Sequence, residues 1–430
     1  HKAIERMTML RPNDKAVAAD LISFAYYLED KCTAAELVKL AYKEKKKATI
    51  EKLLQLAADF KGKFIITKLL QYSKKIKSTD AALSTRLIKY ANALETVHKT
   101  QKSRQDLRPY LNLGSLGPDL FCYKSGLAAA QSFFAEGHFG AAGVEPWSYH
   151  LHSVKPNEFP LKLIEILFRD VCRTSSRVPT FEHQDRAKMS FIAGYLTHIA
   201  ADQIIHPVVN DIAKPYYRDG KNRVEHRTCE VFQDYFLYQA VYEDEGNLYD
   251  GKHEFFDQYF GNWCDCVKGY TFENTTDWFR SMIQRGFVET YGSFPTNDDI
   301  EDSVDGIVRV LSVCNSTFGP FSTPYEEARK AWETRNSPSS KYNDYFETPG
   351  YLQLYREAVE LATTYLLAAF EAWAVLKAGK NFDSFANDRF TSVVSSADLG
   401  TPLITSSILN SAITNFNVSP TPQEARPPLN

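Results

Sequence analysis

The sequence lacks any apolar run long enough to cross a membrane, which takes about 18 to 20 consecutive apolar residues. Its seven cysteines are odd in number and form no CxxC pair of the kind that binds zinc. Cys264 and Cys266 are two residues apart, too close for most disulfides. No charged and then apolar signal sequence opens the chain. It begins in what reads as the middle of a helix, so we expect residues upstream of His1.

The sequence also has few alternating strand patterns, no internal repeat and no HExxH motif, which excludes a zincin-type site. Apolar residues recur at helical spacing along most of the chain. This pattern predicts an all-α protein, with helices at 16–28, 50–60, 63–72, 81–94, 162–172, 185–213, 224–242, 300–314, 324–333 and 351–376. The Gly117-Pro118 turn predicts one more helix, from Asp119 to about residue 135.

The net charge of −3 is small, but it is unevenly spread. Between Lys31 and Arg108 there are 19 Lys and Arg against 7 Asp and Glu, a surplus of 12, so the rest of the chain carries −15. An acidic body suits a protein that holds divalent cations, and a basic segment suits phosphate groups or anionic lipid heads. A solvated helical face is the simpler explanation of the basic segment.

The side chains that could carry chemistry are concentrated in the middle of the chain. His198, Asp202 and His206 follow one another at steps of four inside an apolar helix. His226 and Glu230 repeat that step on the next predicted helix. Residues four apart share one face of a helix, so two neighbouring helices can aim three imidazoles and two carboxylates at one point. This indicates a zinc site, with a hydrogen-bonded His–Asp–His set in the core as the alternative.

Two further positions join this set less directly. Asp119 is a lone acid after LGSLGP, where a helix cap or first-turn acid is the alternative. His150 and His152 flank Leu151, so in an extended segment both point the same way, and either could be a ligand or a surface histidine. The remaining histidines, which have no carboxylate partner at a useful spacing, are His1, His98, His138, His183 and His253.

The order of these motifs resembles the zinc-dependent phospholipase C family, which shares its fold with trinuclear-zinc nucleases that cut single-stranded nucleic acid. The resemblance is carried by LGSLGPD, a downstream His, GYLTHIAAD, a further His and HRTCE, over about residues 111–242. HKAIERM at the start is similar to the family's first helix. Because the family includes secreted bacterial phospholipases, the resemblance favours a secreted or extracytoplasmic protein.

Matched residue by residue, the resemblance implies two or three zinc ions and seven ligands. The ligands are Asp119, His152 with His150 as the second choice, His198, Asp202, His206, His226 and Glu230. The first four positions would surround one ion and the last three would hold a second, with Asp202 able to bridge to a third. The N-terminal amine and nearby His that the family uses for a third metal would lie upstream of His1.

The resemblance further implies a hydrolase of phosphodiester bonds. The expected reaction is that of a phospholipase C, in which metal-bound water attacks a glycerophospholipid such as phosphatidylcholine and releases its phosphorylated head group. Asp119 and Asp202 would be catalytic, with Asp119 as the base that orients the water. A single-strand nuclease or nucleotidase on the same scaffold, with nucleic acid as its partner, and a non-catalytic metal-stabilised protein are the alternatives.

The expected organisation has three parts. Residues 1–110 form a basic helical subdomain or insertion, with the residues near position 1 joining the catalytic bundle. Residues 111–378 form the metal-binding catalytic domain, and residues 379–430 form a C-terminal tail or small appended element. The basic block has no counterpart in the family and could contact a membrane surface peripherally. Trp147, Tyr149 or the aromatics at 255–278 could receive a choline head group, with a place in the core as the alternative.

Overall fold

The computed structural model is all-α in the part of the chain that it describes, which confirms the predicted fold class. No helix among the described residues is both long and apolar enough to span a membrane. The described ranges are 32–60, 65–101, 107–123, 146–174, 183–214, 276–314, 349–377 and 390–396. The described single residues are Ala3, Ile4, Met7, Ile22, Ser23, Ala25, Tyr26, Asn222, Glu225, His226, Cys229, Glu230, Gln233 and Leu399.

The first four helices pack around their own apolar core. They are α1 (Cys32–Ala41), α2 (Lys47–Phe60), α3 (Ile65–Ile76) and α4 (Ala81–Gln101). Each contributes a fully buried leucine to this core, namely Leu37, Leu53, Leu69 and Leu87. The lysines lie on the opposite faces, so the amphipathic pattern seen in the sequence sets which side of each helix is buried.

A second and larger core surrounds the long helix α8. The elements around it are α5 (Arg108–Leu116), a 3₁₀ turn (Gly117–Cys122), α6 (Pro146–Ser153), α7 (Glu158–Thr174), α8 (His183–Ala213), α9 (Thr276–Tyr291), α10 (Asn297–Cys314) and α11 (Pro349–Lys377). The helices predicted at 162–172, 185–213, 300–314 and 351–376 are confirmed to within a few residues. Helix α8 is apolar nearly all round because α5, α7 and α11 pack against it.

The helix predicted to start at Asp119 is wrong in its first turn. Residues Gly117–Cys122 form a 3₁₀ turn, and Tyr123 after it has an extended backbone. The Ser148 hydroxyl lies 2.8 Å from the Cys122 sulfur and donates to the Pro118 carbonyl at 3.4 Å, so contact with α6 holds the tighter turn. The rest of that prediction, the helix at 324–333 and most of those at 16–28 and 224–242 lie outside the described residues.

Two glycines set how closely α5 approaches α8. A Cβ atom on Gly114 would lie 2.0 Å from the Phe191 carbonyl oxygen, and one on Gly194 would lie 2.1 Å from the Leu111 carbonyl oxygen. The helices therefore cross backbone to backbone, at a distance that only glycine permits at both positions. His198 lies one turn beyond Gly194, so this crossing fixes its distance from α5.

The three-part organisation stays a proposal, and the two cores bear on it in different ways. One core collects residues from Ile22 to Leu94, within the basic block. The other collects Ala3, Ile4 and Met7 together with residues of α5 to α11. Phe390, Val394 and Leu399 also lie in the larger core, so the chain near 390–399 packs against the α8 bundle.

We predict that Gly194→Ala lowers the free energy of unfolding by about 3 kcal/mol or more, because its methyl group would clash with backbone atoms of α5. Urea denaturation measures this change. The matched control is Gly292→Ala, where an added Cβ meets nothing within 4 Å and only the positive φ of 76° is unfavourable, by about 1 kcal/mol. Equal costs for the two variants would contradict the proposed role of the helix crossing.

Candidate metal centre

Helix α8 presents His198, Asp202 and His206 along one face, as the four-residue spacing predicts. Asp202 lies between the two histidines. Its Oδ2 is 3.0 Å from His198 Nε2, and its Oδ1 is 3.6 Å from His206 Nε2. One buried carboxylate therefore turns an oxygen toward each imidazole and can serve a site on either side of it.

The first group of donors lies on the His198 side of Asp202. Asp119 from the 3₁₀ turn, His152 from α6 and His198 each offer a ligand atom, and these atoms all lie within 4.8 Å of one another. His152 Nε2 is 3.1 Å from Asp119 Oδ1 and 4.0 Å from Asp202 Oδ2. Three separate elements of the fold thus bring two imidazole nitrogens and a carboxylate to this point, and these are donor types that zinc accepts.

The second group lies on the His206 side. His206, His226 and Glu230 again offer atoms within 4.8 Å of one another. Glu230 Oε1 is 3.1 Å from His226 Nε2 and 3.8 Å from His206 Nε2. The structure therefore brings all seven predicted ligands together in two adjacent groups that share Asp202. That they bind metal stays a prediction.

Backbone carbonyls orient three of the histidines. The Nδ1 atom lies 2.8 Å from the Ser148 carbonyl in His152, 2.8 Å from the Ser115 carbonyl in His198 and 2.5 Å from the Leu399 carbonyl in His206. Because a carbonyl oxygen can only accept, each Nδ1 must carry the proton and donate. The Nε2 atom of each ring then faces the carboxylates, which is the usual outer arrangement of metal-binding histidines.

The contact between His198 and Asp202 tests whether a cation fits here. The His198 Nε2 and Asp202 Oδ2 atoms are buried and 3.0 Å apart, yet neither has a hydrogen-bond partner of good geometry among the described residues. With Nδ1 protonated, a neutral His198 would face the carboxylate with a lone pair, and the two acceptors would repel each other. A proton on Nε2 or a metal ion resolves this contact, so the donors fit a bound cation.

The electrostatics of the cluster agree with this reading. Burial lowers the pKa of His198, but the charges of Asp202 and Asp119 outweigh it and raise the pKa to about 10. Burial acts on His206 in the same way, and Asp202 and Glu230 raise its pKa to about 9. Without metal, the three carboxylates therefore hold protons on these imidazoles. A bound metal ion would replace those protons.

His150 does not join the cluster. Pro146 begins a helix rather than an extended segment, so residues two apart point to different sides and the expectation of parallel side chains is wrong. The His150 ring lies 5.1 Å from the Tyr291 ring and 6.3 Å from the Trp147 ring, and burial lowers its pKa. His152 is the one that faces Asp119.

Sequence reasoning missed the groups that support the ligands. Ser115, Ser148 and Leu399 act through main-chain carbonyls, and every residue carries a carbonyl, so the sequence gives no signature for them. Ser148 alone has a usable signal, since it lies one helical turn before His152 and its hydroxyl also lies 3.3 Å from His152 Nδ1.

Comparison with known proteins agrees with the resemblance seen in the sequence. The family model described as zinc dependent phospholipase C matches residues 83–281, which confirms that resemblance. The matched segment contains all seven predicted ligands. It also contains most of α4, so the match reaches into the basic block, and the expectation that this block has no counterpart in the family is wrong there. No curated protein and no solved structure matches the chain.

We predict that zinc binding at pH 8 releases about two protons per chain from the ligands, one each from His198 and His206, in addition to those lost by zinc-bound water, because both pKa values lie above that pH and zinc needs the neutral ring. The apparent affinity for zinc therefore rises with pH and levels off above about pH 10. Titration calorimetry in two buffers of different ionisation enthalpy counts the protons. If the number of protons released does not fall between pH 8 and pH 10.5, the released protons do not come from His198 and His206.

Proposed function

We propose that this chain, whose residues 83–281 match the zinc-dependent phospholipase C family, hydrolyses a phosphodiester bond of a glycerophospholipid and releases the phosphorylated head group. The family match supports a zinc phospholipase C-like hydrolase, and phosphatidylcholine is the substrate we propose to test first. The observation that carries the proposal is the pair of donor groups that share Asp202.

Asp119, His152 and His198 would hold one zinc ion, His206, His226 and Glu230 would hold a second, and Asp202 would bridge between the two groups. Bound zinc supplies a Lewis acid that offsets the negative charge of a phosphodiester and lowers the pKa of water from ~15.7 to about 7. Two such ions would suit a phosphodiester because the water oxygen that attacks phosphorus and the alcohol oxygen that leaves it both carry negative charge as the bond breaks.

The residues of the chain hold the imidazoles in fixed orientations and supply a base. The imidazoles of His152, His198 and His206 are held by main-chain carbonyls, so their orientation need not change during the reaction. The Asp119 side chain is 23% exposed, whereas those of Asp202 and His198 are 11% and 12% exposed. Asp119 is therefore better placed than Asp202 to accept a proton from an incoming water, and Asp202 holds the centre together.

We propose no aromatic pocket for the head group of the phospholipid. The Trp147 ring contacts Phe287 edge to face, with 5.5 Å between centroids, so Trp147 belongs with the core. Trp278 packs against Tyr110 and Phe279 in a similar way. Most of the aromatic stretch at 255–278 lies outside the described residues, so it supports neither choline binding nor a place in the core.

We predict that Asp202→Asn lowers phosphatidylcholine hydrolysis by about 10²- to 10³-fold, because it removes a charged oxygen from the shared position. Phosphorylcholine release is the measurement, and circular dichroism checks that helicity is kept. Asp211→Asn on the same helix is the matched control and should leave hydrolysis unchanged.

The same assay separates the alternatives. Cleavage of single-stranded DNA in preference to the phospholipid would favour the nuclease. Zinc-dependent stability without cleavage of any phosphoester would favour a metal-stabilised, non-catalytic protein. Full activity of the Asp202 variant would remove this residue from the mechanism.

The proposal includes peripheral contact between the basic block and an anionic membrane surface. We use the name lysine tip for the exposed lysines of the α1–α2 turn and the end of α3, which are Lys43, Lys45, Lys46, Lys47, Lys74, Lys75 and Lys77. Lys46 Nζ lies 2.9 Å from Asp80 Oδ2 in the turn after α3, which places the two lysine groups side by side.

Few carboxylates offset the lysine tip. Glu44 is buried and accepts a hydrogen bond from the Tyr90 hydroxyl at 2.7 Å, with Arg86 at 3.5 Å. Glu51 lies 3.8 Å from Lys47, and Asp80 is engaged by Lys46. The other lysines therefore present a positive surface, and each is worth about 1 kcal/mol near anionic lipid.

We predict that replacing Lys43, Lys45, Lys74 and Lys75 by Gln weakens binding to phosphatidylserine vesicles on the order of 1,000-fold. Vesicle sedimentation in the presence of a chelator measures binding without hydrolysis. The matched control replaces the same four residues by Arg, which keeps the charge. Vesicle binding that does not depend on lipid charge, or equal binding by the Gln and Arg variants, would refute contact between the lysine tip and an anionic membrane.

A further inference from the structure

One residue far from the predicted ligands in sequence touches both donor groups. The Leu399 amide donates to the His152 carbonyl at 2.8 Å, and the Leu399 carbonyl accepts from His206 Nδ1 at 2.5 Å. Its side chain is fully buried in the larger core. The family match ends at residue 281, so this residue lies well outside the segment that carries the resemblance.

The chain that leads to Leu399 is anchored to the ligand-bearing helix α8, to α11 and to the residue before α7. The Asn157 amide donates to the Val394 carbonyl at 2.9 Å, and the Gln203 amide donates to the Ser395 carbonyl at 3.2 Å. The Tyr365 hydroxyl of α11 accepts from the Ser395 amide at 3.2 Å and donates to the Gln203 side chain at 2.5 Å. Gln203 directly follows Asp202, so this network starts beside the shared carboxylate.

Apolar burial adds to these hydrogen bonds. Phe390 and Val394 are fully buried in the same core as the ligand-bearing part of α8. A segment held by both polar anchors and buried side chains can keep the Leu399 peptide in one place, which a loosely attached tail could not do.

We infer that the stretch with Phe390, Val394, Ser395 and Leu399, here called the strap, is a structural part of the metal centre, and that the Leu399 carbonyl positions His206. The strap sets which ring nitrogen of His206 faces Asp202 and Glu230. This inference rests on the proposed function only in assuming that the donor groups bind zinc.

The strap acts unequally on the two donor groups. His206 donates its outer hydrogen bond to the Leu399 carbonyl, whereas His198 donates its own to the Ser115 carbonyl on α5. On the other group the strap touches only the main chain of His152, where its amide satisfies a carbonyl in the last turn of α6. Loosening the strap should therefore weaken zinc binding at His206, His226 and Glu230 more than zinc binding at the other donor group. Loss of such an outer partner typically costs about 10- to 100-fold in metal affinity.

The test loosens the strap without touching any proposed ligand. The double variant Asn157→Ala/Tyr365→Phe removes one anchor at Val394 and the hydroxyl that joins Ser395 to Gln203. The single variant Tyr365→Phe repeats the test with a smaller change, in case the double variant fails to fold. The matched control is Thr363→Val, which removes from the same helix a buried hydroxyl that donates to the Val359 and Ala3 carbonyls and not to the strap.

Zinc alone is the probe, titrated against a competing chelator, with metal content measured per chain. We expect the affinity for one of the two zinc ions to fall by about 10- to 100-fold in the double variant, and the affinity for the other to change by less than threefold. His206→Ala should remove that same ion, and the downfield Nδ1–H proton resonance of His206 should shift or disappear in the double variant. Thr363→Val should change neither readout.

The outcomes separate the inference from the proposed function. Two zinc ions in the wild type with unchanged affinities in both strap variants would overturn the inference alone, as would equal weakening of both ions. Two zinc ions and a strap effect without phospholipid hydrolysis would overturn the proposed function alone. A wild type that binds no zinc would overturn both.

Discussion

The arrangement of the site depends on one contact, in which His198 Nε2 faces Asp202 Oδ2 at 3.0 Å inside the protein. The Ser115 carbonyl accepts a hydrogen bond from Nδ1 of the same ring, so the facing atoms are both acceptors unless Nε2 carries a proton or a metal ion lies between them. Without metal, a proton on His198 Nε2 resolves this contact, because the charges of Asp202 and Asp119 raise the pKa of His198 to about 10. The helix crossing and the main-chain carbonyls hold the two partners in place, so a metal ion could replace that proton. The same constraint recurs where Asp202 turns its second oxygen toward His206. The fold therefore keeps a carboxylate-rich centre at the middle of α8, where either protonated imidazoles or a bound metal ion would balance the negative charge.

Helix packing accounts for how the centre is built. Gly114 and Gly194 let α5 and α8 touch through their backbones, and that distance lets the Ser115 carbonyl reach His198. The 3₁₀ turn directly after α5 brings Asp119 to the same place, and α6 brings His152. The strap closes the arrangement from the opposite end of the chain through Leu399. Ligands from distant parts of the sequence thus converge because each sits next to a close contact of the backbone.

Much of this was accessible from the sequence, and the reasons for the gaps are physical. The four-residue steps of His198, Asp202 and His206 predict one helical face, and the structure has it. The choice between His150 and His152 needed the local backbone, because the two point together in a strand and apart in a helix. The 3₁₀ turn at Asp119 depends on Ser148, a contact across the fold that local propensity does not contain. The Leu399 carbonyl had no signal at all, since any residue could supply it.

The central claim is that two groups of side chains sharing Asp202 bind zinc, and anomalous diffraction at the zinc edge from a crystal of the zinc-loaded protein tests it most directly. The account predicts at least two peaks, one among Asp119, His152 and His198 and another among His206, His226 and Glu230, with Asp202 beside both. Crystals grown with zinc that show no peak among these residues, or zinc bound only elsewhere, would contradict it.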